Sequence, residues 1–240
     1  MNNINMNSDS AKKNTKKEIP LTKELGKRLQ NKFPESKIFS NKCPSRSPTI
    51  RKKWNEAFGE LCPPLQPEMD LIIYEPKDPL APSNKEKLRA IEIKYFRKIN
   101  GSVNQSFYKG IEQSRALLQW GFDNVALWQI FDESFSKSDL RNYGCRTWFY
   151  IHGLLRLPID FTPIRVIGTD LENIRFNVIQ ADWKNSLKPI ELLDIDHPQF
   201  KIKYRYSNPL LNPSFMQFNQ NPFKETIFLR NSLIQWLMET

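Results

Sequence analysis

Glu92 and Lys94 stand two residues apart in Arg89-Ala90-Ile91-Glu92-Ile93-Lys94-Tyr95-Phe96, and their types and spacing could do chemistry together. Ile91, Ile93 and Tyr95 alternate with Ala90, Glu92 and Lys94, the period-2 pattern of a strand whose apolar set turns inward. Glu92 and Lys94 therefore share one face, with Cβ atoms roughly 6 to 7 Å apart for a rise of about 3.3 Å per residue. At that spacing a carboxylate and an ammonium can address one phosphodiester. A second apolar run, Leu71-Ile72-Ile73-Tyr74, follows directly on Asp70. If the two strands pair antiparallel, Asp70 at the start of one lies near Glu92 toward the end of the other. Two carboxylates and one lysine around a point are the parts of a metal-dependent phosphodiesterase site.

The residue types suit that chemistry. Mg²⁺ prefers oxygen ligands and is commonly held by one or two carboxylates plus substrate phosphate. Asp70 and Glu92 supply these, and the backbone carbonyl of Ile93 is a further oxygen within reach of the same point. Mn²⁺ is expected to substitute. Lys94 can orient or deprotonate a water and offset charge on phosphorus, and lysine beside a metal can have a lowered pKa.

These residues give the chain a resemblance to the PD-(D/E)xK superfamily of restriction-endonuclease-like nucleases. The signature is a proline and an acid opening one strand, then acid-x-lysine on the next: here Pro67 with Asp70, or with Glu68, and Glu92-Ile93-Lys94. Asp70 is favoured for the first acid because the apolar strand begins directly after it. The resemblance covers roughly residues 20 to 131. It implies a mixed β-sheet core flanked by helices, a divalent-metal nuclease activity and a DNA substrate. Superfamily members often carry a glutamine or lysine on the helix after the E-x-K strand, and Gln113 is the matching residue. One branch has a tyrosine four residues further on, where this chain has Leu117. Many members place another acid on the first helix or the first strand, which makes Glu24 or Glu60 the additional acid.

The elements that must position these groups can be read from periodicity. A helix over Leu21–Phe33 is expected from Leu21, Leu25, Leu29 and Phe33, opened by Pro20 and Thr22. After the Asn100-Gly101 turn, Asn104 is expected to cap a helix running to Gln119, with Gly110 permitting close approach to a sheet. Asn124–Phe131 is expected as the next strand. Farther on, 162–168 and 174–179 read as strands, Lys201–Tyr206 as a basic, alternating strand, and Glu225–Met238 as a last helix. Trp148, Ile151, Leu154 and Leu155 suit either a helix or a strand over 143–157. His152 reads as a partnered core histidine.

Composition narrows the partners. The 36 Lys and Arg against 26 Asp and Glu give a formal charge of +10, which suits a polyanion. Arg51-Lys52-Lys53-Trp54 joins charge to an aromatic ring, a pairing that contacts phosphate backbone and stacks bases, and Lys203 and Arg205 are a second DNA-binding candidate. Three scattered cysteines and two histidines exclude a disulfide framework, a four-cysteine metal site and the histidine-rich centres of other nucleases. With no apolar run of 18 residues and no signal-peptide core, a cytoplasmic protein without membrane association is expected.

The expectation is therefore an α/β protein with a restriction-endonuclease-like mixed sheet flanked by helices and a C-terminal β-rich extension. Residues 1–18 read as a disordered basic tail, 19–135 as the nuclease core and 136–240 as an extension completing or flanking the same domain. The expected activity is Mg²⁺-dependent DNA endonuclease, in restriction, transposition or repair. The alternative is a nuclease-fold DNA-binding protein without catalysis. Cutting both strands would ask for a homodimer or a partner subunit.

Overall fold

A computed structural model describes residues 6–59, 68–77, 86–168, 171, 173–184, 188–211 and 224–240, with backbone alone at 6–17, 57–58 and 224–228. The chain runs α1 (Met6–Lys32), β1 (Lys37–Lys42), α2 (Pro48–Phe58), β2 (Met69–Glu75), β3 (Lys87–Phe96), a ribbon of β4 (Lys98–Ile99) and β5 (Ser102–Val103), α3 (Ile111–Gln119) and β6 (Asn124–Phe131). It continues with α4 (Lys137–Trp148), a π-helical turn (Phe149–Leu154), β7 (Asp160–Ile167), β8 (Arg175–Gln180), β9 (Glu191–Asp194) and α5 (Lys224–Glu239). Seven strands form one mixed sheet in the order β1-β2-β3-β6-β7-β8-β9. β3 and β7 flank β6 in parallel, and the other neighbours are antiparallel.

The central strands are buried on both faces, so each is nearly continuous in apolar residues and a helix covers either side. On one side Leu21, Leu25 and Leu29 of α1 pack with Leu71, Ile73, Ile91, Ile93 and Trp128. Each fully buried leucine contributes about 1.5–3 kcal/mol. On the other side, α2, α3 and α5 pack over Ile72, Leu88, Ala90, Val125 and Leu127. Asp70, Glu92 and Lys94 interrupt this apolar sheet as buried polar positions.

The architecture agrees with an α/β protein built on a mixed sheet between helices, and β7, β8 and β9 extend that same sheet. Several elements differ from the sequence expectation. α1 begins at Met6, inside the stretch expected to be a tail, and carries Pro20 in its interior; no proline or glycine interrupts the residues before Pro20. The basic, proline-broken stretch after Phe33 holds β1 and α2, β1 being an edge strand with lysine at both ends, a device that discourages edge pairing. Asn104 does not cap a helix. Its carboxamide oxygen accepts from the Arg97 N–H at 2.9 Å and its own N–H donates to the Arg97 carbonyl at 3.1 Å, closing the ribbon around Asn100-Gly101. α3 starts seven residues later, after Gly110. Residues 201–206 form no strand, because the N–H groups of Arg205 and Tyr206 donate to the Asp160 carboxylate instead of to a neighbouring strand.

Candidate active site

The ladder between β2 and β3 runs from Glu75↔Lys87 to Leu71↔Ile91. Past Ile91, carboxylates take over the free edge of β3. Asp70 Oδ2 accepts from the Ile93 N–H at 2.6 Å, and Glu18 Oε2, from α1, accepts from the Tyr95 N–H at 3.1 Å. Residues two apart on a strand point their amides to the same edge, so both acids sit on the side of β3 that faces β2. The Ile93 carbonyl lies between them.

Lys94 turns its ammonium into this cluster. Nζ is 2.6 Å from Glu92 Oε1, 2.9 Å from the Ile93 carbonyl oxygen, 3.5 Å from Glu18 Oε1 and 3.8 Å from Asp70 Oδ2. Glu92 is wholly buried, and Asp70 and Lys94 are each 7 % exposed. One ammonium thus faces three carboxylates, and the second oxygen of Glu92 has no hydrogen-bond partner among the described residues. Burial raises the Asp70 carboxyl to about 7, against the pull of Lys94 and of the Ile93 amide. Burial and the neighbouring Asp70 raise Glu92 to about 8. Lys94 is held charged: burial works against the ammonium, but Glu92, Asp70 and Glu18 together outweigh it and move its pKa up.

Glycine holds the opposite side of Lys94. Gly110 caps α3 in the left-handed region at φ +92°, and a Cβ there would lie 2.8 Å from Lys94 Cγ and 2.8 Å from Leu127 Cδ1. β6 gives Lys94 a polar neighbour, since Lys94 is in register with Gln129. Gln129 is wholly buried, donates to the Phe107 carbonyl at 2.5 Å and accepts from the Thr147 hydroxyl at 3.0 Å.

Of the residues expected from sequence, the structure brings together Asp70, Glu92, Ile93 and Lys94. Gln113 lies half-buried on α3, with no hydrogen bond to that cluster among the described residues. The helix acid is a correction: α1 brings Glu18 to Lys94, whereas Glu24 pairs with Arg28 at 2.9 Å, and Arg28 also reaches Asp196 at 2.8 Å. Glu60 and Pro67 lie outside the described residues, and Glu68 is exposed. Trp54 is a second correction. It is only 4 % exposed and packs against Trp120 at 4.9 Å between ring centroids, so it cannot stack a base. On α2, Ile50 and Trp54 are four apart and turn inward together, while Arg51 and Lys52 remain exposed and Lys53 pairs with Glu56 at 3.1 Å. Lys203 and Arg205 are exposed on the irregular 201–208 segment. His152 is half-buried, stacked on Tyr206 at 5.0 Å. Cys43 and Cys145 are free thiols.

Sequence reasoning passed over Glu18, although a signal was available. Residues 18, 21, 25 and 29 are spaced by three and four, so Glu18 shares the stripe of Leu21, Leu25 and Leu29 that faces the sheet. Glu24 is well off that stripe. An acid in line with buried leucines needs a buried partner, and here it finds Lys94 and the Tyr95 amide.

As they stand, the carboxylates are organised around the ammonium; among the described residues no group of three His, Cys, Asp or Glu side chains is gathered to hold an ion. Also among the described residues, no helix is long and apolar enough to cross a membrane. No protein-family model, curated protein or solved structure matches this chain.

Proposed function

We propose that this chain is a restriction-endonuclease-like, Mg²⁺-dependent deoxyribonuclease, with Mn²⁺ able to replace Mg²⁺. The observation that carries this reading is the set of oxygens around Lys94 Nζ: Asp70, Glu92, Glu18 and the Ile93 carbonyl, all buried or partly buried, on the free edge of one strand. The donors are all hard oxygens, the class Mg²⁺ prefers. Three carboxylates around one ammonium leave an excess of two negative charges when all are ionised, the charge of one divalent cation. The partnerless Glu92 oxygen is a free ligand atom of the kind an ion would take up.

Asp70, Glu92 and the Ile93 carbonyl would hold the ion, with Glu18 closing the helix side. When bound, the ion offsets charge developing on phosphorus and acidifies a water. The chain's own groups do the rest. Lys94, released from Glu92, carries a fixed positive charge to a phosphate oxygen or hydrogen-bonds the attacking water. Gly110 lets α3 pack directly on its stem, which restricts how far the ammonium has to move to reach a phosphate. Gln113 is a candidate positioning group on the neighbouring helix. The +10 charge supplies attraction for the polyanion, with Arg51, Lys52, Lys203 and Arg205 as exposed contacts. One such cluster among the described residues would cut one strand, so double-strand cleavage would need two copies or a partner subunit.

A second reading has its own observation. Lys94 already fills the cluster, as it would in a nuclease-fold DNA-binding protein whose lysine replaces the ion permanently. Incubation of supercoiled plasmid with Mg²⁺, with Mn²⁺ and with EDTA separates the two. Nicked or linear product in either metal and none in EDTA supports the nuclease. Salt-sensitive plasmid binding without cleavage in any metal supports the binding protein.

A further inference from the structure

Beside the cluster, three segments converge that carry aromatic rings and several cations, with the buried Asp160 carboxylate meeting them through the Arg205 and Tyr206 amides. Residues 103–111, 140–159 and 201–211 contain seven Lys and Arg and no Asp or Glu. Their rings touch. Tyr108 lies 6.2 Å from Tyr150, and Phe107 packs edge-on to both. Tyr206 stacks on His152 at 5.0 Å with 22° between planes. Tyr150 and His152 both belong to the π-helical turn, a rare conformation that occurs often at functional sites. Tyr108 is 52 % exposed and Tyr206 36 %, while Phe149, seated against Gly153, is 56 % exposed. Lys109, Arg146, Arg156 and Arg205 stand exposed on the same segments.

This surface is tied to Lys94. The Phe107 carbonyl is held by Gln129 and Thr147, Gln129 is the register partner of Lys94, and Gly110, two residues after Tyr108, packs on the Lys94 stem. Aromatic faces left open among cations offer stacking to bases together with attraction for phosphate. Bases within a duplex are already stacked on one another and cannot use such a face.

We infer that Tyr108 and Tyr206, supported by Tyr150 and His152, form a stacking platform for unpaired bases of a nucleic-acid strand. This rests on the nuclease reading and names its substrate class: duplex interrupted by, or ending in, single-stranded DNA. The test is fluorescence anisotropy of the full-length chain in EDTA with a labelled oligo-dT of about 20 nucleotides and with a duplex of equal length, sized for a site of several nucleotides. Tyr108→Ala with Tyr206→Ala should weaken oligo-dT binding about tenfold or more, as loss of base–aromatic stacking does. Duplex binding should change less than threefold, and the salt slope for oligo-dT should stay the same, since phosphate contacts remain. Tyr108→Phe with Tyr206→Phe should restore oligo-dT binding, which separates lost stacking from lost folding. Unchanged oligo-dT affinity in the alanine variant, an equal fall for duplex, or no oligo-dT binding by the wild type would overturn the platform. The readout needs no turnover, so absent plasmid cleavage strikes the nuclease reading, whereas ring-independent oligo-dT binding strikes the platform.

Discussion

Lys94 and Glu92, two residues apart on β3, form an ion pair of 2.6 Å in which the carboxylate is wholly buried. A lysine alongside its own strand's glutamate is ordinarily a surface pair worth little. Burial changes that, because removing Lys94 strips the wholly buried Glu92 of its ammonium, although Lys94 itself would keep Asp70 and Glu18.

Lys94→Ala should therefore both stop cleavage and lower stability. Breaking a buried pair by deleting one partner typically costs about 3–5 kcal/mol. Here the acids can take up protons, so roughly 1–3 kcal/mol is expected, measured by urea denaturation at pH 7 in EDTA. A Lys94→Ala protein as stable as wild type would show that the ammonium does not sit among the carboxylates.

The same cluster sets a pH dependence. Unfolded carboxyls release their protons near 4, whereas folded Asp70 and Glu92 hold theirs to about 7 and about 8. Between those limits the native state binds more protons than the unfolded state, so stability falls as pH rises from about 4 toward 8. Melting in EDTA from pH 5 to 8.5 should show this decline, and Glu92→Gln should make it shallower, chiefly above pH 7, while Asp70 and Asp160, also raised by burial, keep the rest. Mg²⁺ should restore stability mostly at the alkaline end, where the acids it would bind are ionised. A decline that survives Glu92→Gln unchanged would place its origin elsewhere.

Glu18→Gln should weaken metal binding and cleavage by on the order of 10- to 100-fold, the usual scale for loss of a supporting ligand. It keeps a side-chain oxygen for the Tyr95 amide, so folding should be preserved. Glu24→Gln, on the Arg28 side of the same helix, should leave both near wild type. Calorimetric titration with Mn²⁺ compares the two variants directly, and equal effects would remove Glu18 from the site.

Much of this geometry was legible in the sequence. Alternation over Ala90–Tyr95 sets the shared face of Glu92 and Lys94, and the antiparallel partner that brings Asp70 to them follows from two apolar runs in succession. Side chains that answer to tertiary partners were not. Glu18 sits among Lys, Asn and Thr, where composition suggests a tail, and only its phase with Leu21 and Leu25 shows that it faces the sheet. Trp54 follows three cations, yet its four-residue offset from Ile50 turns it into the core. Asn104 has the chemistry of a helix cap and spends it on the Arg97 amide. β1 and β9 are short edge strands carrying charge at their ends, a pattern local sequence does not separate from a loop.

Gly110→Ala tests the confinement of Lys94. A non-glycine residue at φ +92° costs on the order of 1–3 kcal/mol, and the added methyl would meet the Lys94 stem at 2.8 Å. Cleavage should fall more than stability alone explains, with turnover reduced at temperatures where circular dichroism shows the protein fully folded. Full turnover in a folded Gly110→Ala protein would mean that the lysine needs no such confinement.

The most direct test is single-turnover cleavage of a labelled DNA duplex carrying a single-stranded overhang, in Mg²⁺, by wild type, Asp70→Asn, Glu92→Gln and Lys94→Met purified in parallel. Metal-dependent cutting by the wild type, reduced by a factor on the order of 100 or more in each variant, is the predicted result. Wild-type-like cutting by Lys94→Met or Glu92→Gln would contradict the assignment of this cluster as the catalytic centre.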